Sequence, residues 1–368
     1  MNEELSIEKK LIKIAQVFNI KGSLSSYEVV TIGNINATYR LNFNYRGKKN
    51  CYIMQRINTY VFKKPEEIMS NISLVTAHIK KHSKNGLQTL SFYVTDQGKN
   101  FYIDDEKNVW RVSNNIDSIS YDSCDELAVM EELGAAFGDF QNILSDFDAS
   151  KLYETIPDFH NTKKRIETLL TDIENDEFGR VKEVTEEIEF VKEHAALASE
   201  LEEMKERGEL PLRVTHNDTK INNVLFDQVT HMPIAVIDLD TVMPGLAMHD
   251  FGDAVRYACN TAAEDEPDLD QVSLNLTSFQ AFAQGFIGKT AGSLTEKEVE
   301  TMVLGAITIT IELGVRFLDD YITGDKYFKT LYDKHNLVRT RCQFELAKDM
   351  LRKREAMEYL VKDIASQI

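Results

Sequence analysis

The sequence predicts an α+β protein of two lobes, in which a small antiparallel β-sheet comes first and a larger, mainly helical part follows. Segments rich in β-branched and aromatic residues are concentrated before residue 115, and such segments are typical of strands. From Asp122 onward, apolar residues recur mostly at helical spacing. The polar stretch Ser113–Ser120 separates the two regions and predicts a boundary, with lobes at 1–115 and 116–368.

The first lobe is predicted to open with an amphipathic helix and to continue as an antiparallel meander. The helix covers residues 1–20 and stops at Lys21-Gly22. Turn-forming pairs such as Gly33-Asn34 and Arg46-Gly47 separate the strand-like segments. A second helix over 65–81 carries apolar residues on one face. The predicted strands are 27–32, 38–45, 50–57, 90–95, 101–103 and 108–112.

The second lobe is predicted to consist of helices interrupted once by a compact β element around residues 212–240. A strand-rich lobe followed by a larger helical lobe is a common arrangement of packed layers, so the order of elements alone does not define the fold family. The predicted helices are 128–144, 161–175, 181–207, 272–288, 296–322 and 336–368.

Composition narrows the range of partners. The chain of 368 residues has a formal net charge of −18, which repels nucleic acid and anionic membranes, so neither is expected as a partner. Any nucleotide phosphates would have to be bound by local cations and metal ions. Four scattered cysteines without metal-site spacing indicate reduced thiols. No signal peptide or membrane span is apparent in the sequence, and a cytoplasmic location is predicted.

One stretch carries a set of residues suited to phosphoryl transfer. The segment His216-Asn217-Asp218 is followed by Asn223 and then by a buried strand that ends in Asp238-Leu239-Asp240. Phosphoryl transfer needs a positioned hydroxyl group and metal ions that offset charge on the phosphates. Asp218 can accept the hydroxyl proton, while Asn223 and Asp238 can offer oxygen ligands to Mg²⁺.

The spacing of these residues also predicts that they converge. The strands 223–226 and 234–237 form a hairpin, whose return strand brings Asp238 back beside Asn223. The alternative interpretation is that these polar residues only cap turns and end a strand. His216 is interpreted as a brace for the loop rather than a base, and Lys220 either stabilises the transferred phosphoryl group or is simply solvated.

The chain resembles the bacterial N-acetylhexosamine 1-kinases, within the aminoglycoside phosphotransferase and choline kinase superfamily. The resemblance rests on the motif just described together with further blocks in the same order, namely 33–39, 137–142, 147–150, 212–225, 237–245, 250–256 and 335–341. It implies a bilobal protein-kinase-like fold. It also implies Mg²⁺-dependent transfer of the ATP γ-phosphate to the 1-hydroxyl of N-acetylglucosamine or N-acetylgalactosamine. The implied partners are therefore ATP and a sugar, and a monomer is compatible with this activity.

The same resemblance implies roles for individual residues. Asp218 is the implied base, Asn223 and Asp238 are the implied Mg²⁺ ligands, and Asp240 lies where the family keeps a second acid near metal and sugar. Asp250 follows too far along the chain to be the metal ligand, and is expected to anchor the backbone of the catalytic loop from the start of a helix.

Further residues are assigned to the two substrates. The loop before the second strand is implied to contact phosphates or sugar through Gly33, Asn34 and Asn36. Two residues from the C-terminal part are implied to bind the sugar, Arg316 as a fixed donor and Tyr327 as an aromatic face. Tyr257 falls where the family contacts the N-acetyl group, although Phe is common there.

The third strand departs from the usual kinase pattern. Kinases carry a lysine there that binds phosphates and pairs with a glutamate, whereas this chain has Gln55. The neighbouring Arg56 should point to the opposite face of the sheet. Glu66 or Glu67 could serve as the glutamate partner, or either could simply be a favourable charge at a helix start.

Two other functions remain open at this stage. One is a kinase for another hydroxyl compound, such as choline, homoserine, an aminoglycoside or another hexose. The other is a nucleotide-binding module without turnover. The sequence leaves open the gluco or galacto preference, the number of Mg²⁺ ions and the oligomeric state.

Overall fold

The computed structural model describes residues 2–31, 35–83, 87–290 and 292–368. Gly33 and Asn34, which the sequence assigned to the phosphate and sugar loop, lie outside the described residues. The predicted α+β bilobal arrangement is confirmed, with an antiparallel sheet in the N-terminal lobe and helices dominating the C-terminal lobe.

The N-lobe is a five-stranded antiparallel sheet with two helices. The strands follow the order β1-β2-β3-β5-β4, so that β5 lies beside β3 in the register Gln55↔Arg111. The elements are α1 (Asn2–Val17), β1 (Ser23–Val30), β2 (Ala37–Tyr45), β3 (Lys48–Ile57), α2 (Pro65–His82), β4 (Tyr102–Ile103) and β5 (Val109–Asn114).

The two faces of this sheet have different roles. Helix α1 covers the outer face, where Leu11 and Phe18 pack with Met54 and Val112 in a small hydrophobic cluster. Because successive side chains of a strand point to opposite faces, Gln55 lies on the inner face, which forms the roof of a cleft between the lobes. The inner face is therefore the one available to a ligand.

The C-lobe is built from eight α-helices and two small two-stranded sheets among the described residues. Strands β6 and β9 pair with each other, as do β7 and β8. The helices are α3 (Leu127–Ile143), α4 (Thr162–Asn175), α5 (Thr185–Glu206), α6 (Ala247–Ala258), α7 (Leu276–Thr290), α8 (Glu296–Glu300), α9 (Met302–Ile322) and α10 (His335–Ser366). The strands are β6 (Arg213–Thr215), β7 (Val224–Phe226), β8 (Pro233–Val236) and β9 (Met243–Gly245).

Helices α6 and α9 approach each other unusually closely. A Cβ atom on Gly252 would lie 2.6 Å from the carbonyl oxygen of Gly305, so only residues without a side chain allow this contact. The contact matters because α6 anchors the catalytic loop and α9 carries Arg316. Both helices belong to the large core that also takes in the apolar face of α2, including Ile68 and Ile72.

Three predicted elements differ from the structure. The segment 90–95 is not a regular strand: Phe92 bridges Ser113, and the side chain of Asn114, rather than its backbone, accepts the Ser91 N–H at 2.7 Å. The helix predicted over 296–322 is broken at Thr301, whose hydroxyl donates back to the Lys297 carbonyl at 2.8 Å, an interaction that bends helices. The helix expected to start at Asp250 begins three residues earlier, at Ala247, so that Asp250 lies in the first turn of α6.

The two lobes join after β5. Strand β5 ends at Asn114, and Ile119 then pairs through two backbone bonds of 2.9 Å with Phe226 of β7 in the C-lobe. The predicted domain boundary at 115/116 falls within this connection. None of the described helices has the length and apolar character needed to cross a membrane.

Candidate active site

The hairpin β7–β8 brings two of the predicted metal ligands to one place. The carbonyl oxygen of Asn223 accepts the Ile237 N–H at 2.9 Å, which holds the end of the return strand beside the start of the outgoing one. Asp238 follows immediately, in a left-handed conformation with φ of 58° that Asp tolerates better than most residues. The backbone therefore turns sharply and presents Asp238 to the cleft.

Asp218 is held by its neighbours within the loop. The side-chain nitrogen Nδ2 of Asn223 donates to the main-chain oxygen of Asp218 at 2.8 Å and to the Oδ2 of Asp218 at 3.2 Å. The ammonium of Lys220 lies 3.1 Å from Oδ1, and the charge of Asp218 raises the pKa of Lys220. Lys220 is therefore a fixed cation beside the candidate base.

His216 supports this loop from behind. Its Nδ1 accepts the Asp218 N–H at 3.3 Å, so its Nε2 carries the proton and donates to the Ile237 carbonyl at 2.8 Å. The ring is fully buried and packs edge-on against Phe137 and Phe140. These contacts leave both ring nitrogens occupied, so His216 ties the loop to the hairpin and has no free nitrogen for a substrate.

Helix α6 holds the backbone of the same loop. The carboxylate of Asp250 accepts the His216 N–H at 2.8 Å and the Asn217 N–H at 2.7 Å, and Asp253 accepts the Thr219 N–H at 2.9 Å. Asp250 is buried and also accepts a bond from a glutamine side chain of α3. Its oxygens are therefore committed to the loop and not available to a metal ion.

Asp238 is the carboxylate that fits a metal ion best. It is open to the solvent of the cleft but lies deep between the lobes. Enclosure by the protein, with the charges of Asp240 and Asp218, raises its pKa. Among the described residues, none donates a hydrogen bond to its carboxylate. Together with the amide oxygen of Asn223 it provides the hard oxygen ligands that Mg²⁺ takes, and a bound cation would relieve the repulsion among these carboxylates.

Asp240 has a different environment from that of Asp238. Its carboxylate forms a two-point ion pair with Arg111 of β5, whose Nη2 lies 3.0 Å from Oδ2 and whose Nη1 contacts Oδ1. Asn36, before β2, also donates to Oδ2 at 2.6 Å. Sequence reasoning did not single out Arg111, although an arginine inside the apolar run Val109–Val112 is a signal for a buried, paired charge.

These side chains surround one cleft between the lobes, with a cavity volume of about 320 Å³, a size typical of small-molecule sites. The lining residues that the sequence singled out are Asn36, Gln55, Asp218, Lys220, Asn223, Asp238 and Asp240. Arg316, Tyr327 and Tyr257 are not part of this lining.

The sequence profile of the phosphotransferase enzyme family matches residues 28–280 of the chain, which includes the entire cleft. The chain belongs to this family.

Solved structures agree with this assignment at the level of the fold. A microcompartment-associated aminopropanol kinase superimposes with a TM-score of 0.60 at 15% identity, over 94% of this chain and 98% of that one. A choline kinase from Cryptosporidium parvum Iowa II gives a TM-score of 0.57 at 12% identity, over 97% and 98%. An ADP-bound aminoglycoside phosphotransferase gives 0.53 at 12% identity, over 92% and 98%.

In this phosphotransferase, Arg316 lies in an aromatic cluster apart from the cleft lining. Its guanidinium stacks 5.0 Å from the ring of Phe159 and 5.5 Å from that of Phe328. Tyr327, which packs edge-on against Phe328, is 52% exposed. Among the described residues, no carboxylate lies within ion-pair distance of Arg316.

One carboxylate shapes the loop that carries Tyr327. Asp320 accepts the backbone N–H groups of Lys326, Tyr327 and Phe328 at 2.7–2.9 Å. It also accepts the side-chain amide of Asn336 from α10 at 2.8 Å. The loop is thus fixed against α9 and α10, which gives Tyr327 a defined position.

A buried ion pair connects the Arg316 helix to the catalytic loop. Glu312, one turn before Arg316, lies 3.0 Å from His160 Nδ1, and His160 Nε2 lies 3.3 Å from the Asn217 carbonyl. Burial opposes charge on both groups, but their mutual attraction outweighs it, raising the pKa of His160 and lowering that of Glu312 to about 2. His160 therefore bridges the catalytic loop and α9.

Tyr257 lies on the Lys220 side of the loop. It is half-buried against the main core, with Arg256 6.0 Å from its ring. Burial raises the pKa of its phenol, and the charge of Lys220 partly opposes that rise. Tyr257 does not line the cleft itself.

Proposed function

We propose that this phosphotransferase transfers the γ-phosphate of ATP to the 1-hydroxyl of an N-acetylhexosamine, giving the α-1-phosphate. The observation that carries the kinase part of the proposal is the convergence of Asp218, Asn223 and Asp238 on one cleft. A module without turnover has no need of all three. The ADP bound to the related aminoglycoside enzyme supports a nucleotide as the donor.

Each residue has a defined task in this reaction. Asp218 accepts the proton of the sugar hydroxyl while the hydroxyl oxygen forms a bond to the γ-phosphorus. The bond from that phosphorus to the β–γ bridging oxygen breaks, and ADP leaves with the electron pair. Lys220, held beside Asp218, offsets charge on the transferred group. Mg²⁺, held by Asp238 and Asn223, would supply electrostatic stabilisation of the phosphates.

The acceptor is the finer part of the proposal, and Arg316 supports it. The named substrates of two neighbours, aminopropanol and choline, carry a positively charged nitrogen. A guanidinium without a carboxylate partner among the described residues repels such a group but can donate hydrogen bonds to the neutral oxygens of a sugar. The exposed ring of Tyr327 beside it suits the apolar face of a hexose. This cluster and the loop of Asp218 belong to the same lobe and are joined through His160 and Glu312.

We expect Arg316→Ala to raise the KM for the sugar by tens of fold and to leave the KM for ATP nearly unchanged. Losing a buried, charged hydrogen bond costs roughly 1–3 kcal/mol, and Arg316 lies outside the residues that line the nucleotide cleft. Steady-state kinetics with each substrate varied in turn measures both constants.

Two tyrosine variants, compared with each other, control for the general effect of removing an exposed aromatic ring. Tyr327→Ala should act in the same direction as Arg316→Ala, whereas Tyr359→Ala should match wild type, because Tyr359 is also exposed but lies far along α10. Equal effects of the two tyrosine variants, or an Arg316→Ala enzyme with an unchanged sugar KM, would remove this cluster from the acceptor site.

A panel of acceptors tests the proposed substrate class directly. ADP release is followed with N-acetylglucosamine, N-acetylgalactosamine, glucose, choline, homoserine and an aminoglycoside. The proposal expects turnover of both N-acetylhexosamines, and Tyr257→Phe should alter the preference for N-acetylated over plain hexoses. Turnover restricted to a cationic acceptor would reject the sugar and retain the kinase.

A further inference from the structure

Strand β3 lacks the lysine with which kinases bind nucleotide phosphates, and an arginine on the adjacent strand occupies the same region. Gln55 is paired in register with Arg111 of β5, so both side chains emerge on the same face of the sheet. The Arg111 Nε donates to Gln55 Oε1 at 2.9 Å, and Gln55 in turn donates to Thr38 Oγ1 at 3.1 Å. The guanidinium is thus held over the cleft from the neighbouring strand.

The partner of this cation also differs from the usual one. In kinases, the β3 lysine pairs with a glutamate of the following helix. Here Glu66 is exposed and Glu67 pairs with Lys64 at 2.9 Å, so neither reaches the inner face of the sheet. The carboxylate comes instead from Asp240 of the C-lobe, and the side chains of Arg111 and Asp240 are only 3% and 2% exposed.

Arg111 keeps donors for a ligand while it is held. A guanidinium has five N–H groups. One is bound to Gln55 and two to Asp240. One further N–H faces only the sulfur of Met69, at 3.8 Å. Asp240 occupies the fork itself, so the positive charge and the last N–H, on Nη2 and without a partner among the described residues, are what remain for a phosphate oxygen.

The other cations of the cleft are placed for different tasks. Lys220 comes from the catalytic loop and pairs with Asp218. Arg40 lies at the mouth, with its side chain 48% exposed and 3.6 Å from Glu28. Among the described residues of the cleft lining, Arg111 is the buried cation of the roof. The phosphates of a nucleotide are repelled by Asp218, Asp238 and Asp240 of the cleft, so a buried positive charge beside them favours nucleotide binding.

We propose that Arg111, held by Gln55 and Asp240, binds the α- and β-phosphates of the nucleotide in place of the missing β3 lysine. This inference rests on the proposed function in so far as the ligand is a nucleotide. Asp240 then acts as the counter-charge that positions the guanidinium, and Asn36 ties the loop before β2 to the same carboxylate at 2.6 Å.

Calorimetric binding of ADP with Mg²⁺, compared with adenosine, tests the assignment. We expect Arg111→Met to weaken ADP binding at least tenfold and to leave adenosine binding within twofold, because only ADP carries phosphates. The unpaired Asp240 could destabilise that variant, so Arg111→Met/Asp240→Asn, which removes both charges, is measured beside it and should show the same selective loss.

Two further variants sharpen the result. Gln55→Lys in the Arg111→Met/Asp240→Asn background restores a cation on β3 and should recover part of the ADP affinity. Arg56→Met is the matched control, since Arg56 is exposed on the outer face of the same strand, and it should bind both ligands like wild type.

The outcomes separate this inference from the proposed function. Wild-type protein that binds ADP, with a double variant that binds it equally well, would overturn the role of Arg111 alone. Equal weakening of ADP and adenosine would also overturn it, since Arg111 would then only support the shape of the cleft. Wild-type protein without ADP affinity would reject the nucleotide, and the proposed function with it.

Discussion

Replacing Asp218 with asparagine is expected to reduce kcat by about 10² to 10⁴, the usual cost of removing a general base. The change preserves shape and the bonds that Asn223 donates to this residue, but it removes the carboxylate that we propose accepts the sugar proton. ADP binding should stay within a few-fold of wild type, because the proposed phosphate contacts come from Arg111 and the metal ion. Single-turnover kinetics and ADP calorimetry measure the two quantities.

The matched control is Asp227→Asn in the turn of the β7–β8 hairpin. Asp227 is a partly exposed aspartate only nine positions away that accepts hydrogen bonds from Val229 and Thr230, and its variant should retain wild-type turnover. An Asp218→Asn enzyme that keeps more than a tenth of the wild-type kcat would exclude Asp218 as the base.

The second large effect is expected at Asp238. Asp238→Ala should raise the Mg²⁺ concentration for half-maximal activity by 10–100-fold or more, since loss of even an outer-sphere metal contact costs on the order of 10–100-fold in affinity. Asn223→Ala should have a smaller effect, because a neutral amide oxygen holds the ion less strongly than a carboxylate. Mg²⁺ titrations of activity, with Mn²⁺ binding followed by electron paramagnetic resonance, give the comparison.

The contacts of the other carboxylates make this test selective. Asp250 is bound to the backbone of the catalytic loop, and Asp240 is paired with Arg111, so neither is free to replace Asp238 without breaking those bonds. A Mg²⁺ titration of Asp238→Ala that superimposes on wild type would contradict the hairpin argument and transfer the role to one of those two residues.

The parts of the site that depend on short-range sequence were predictable. Asp238 follows Asn223 by 15 positions, and a hairpin of that length fixes their proximity. The two-lobed fold followed from where strand and helix periodicity changed along the chain. Local patterns of this kind contain most of the information that positions a catalytic loop.

Arg111 could not be found in this way. Its relation to Gln55 depends on the register between β3 and β5, and its relation to Asp240 depends on how two lobes meet. Neither contact can be predicted from the neighbouring sequence, which shows only one charged residue within an apolar strand. The break at Thr301 was missed for a related reason, because the apolar spacing continues through it while a hydroxyl-to-backbone bond bends the helix.

The sequence pattern did not predict where the proposed acceptor residues lie relative to the cleft. The cleft collects the catalytic and metal-binding candidates but not Arg316, Tyr327 or Tyr257. The ion pair of His160 with Glu312 connects the Arg316 helix to the catalytic loop, so the two regions are one packed unit. Contact of Arg316 and Tyr327 with the sugar stays a proposal.

Product analysis by ³¹P and ¹H NMR tests the central claim most directly. The purified protein is incubated with ATP, Mg²⁺ and N-acetylglucosamine or N-acetylgalactosamine, with Asp218→Asn as the negative control. The account predicts an anomeric α-1-phosphate from both sugars, identified by phosphorus coupling to the H1 proton. A 6-phosphate, or no product from either sugar while another alcohol is phosphorylated, would contradict it.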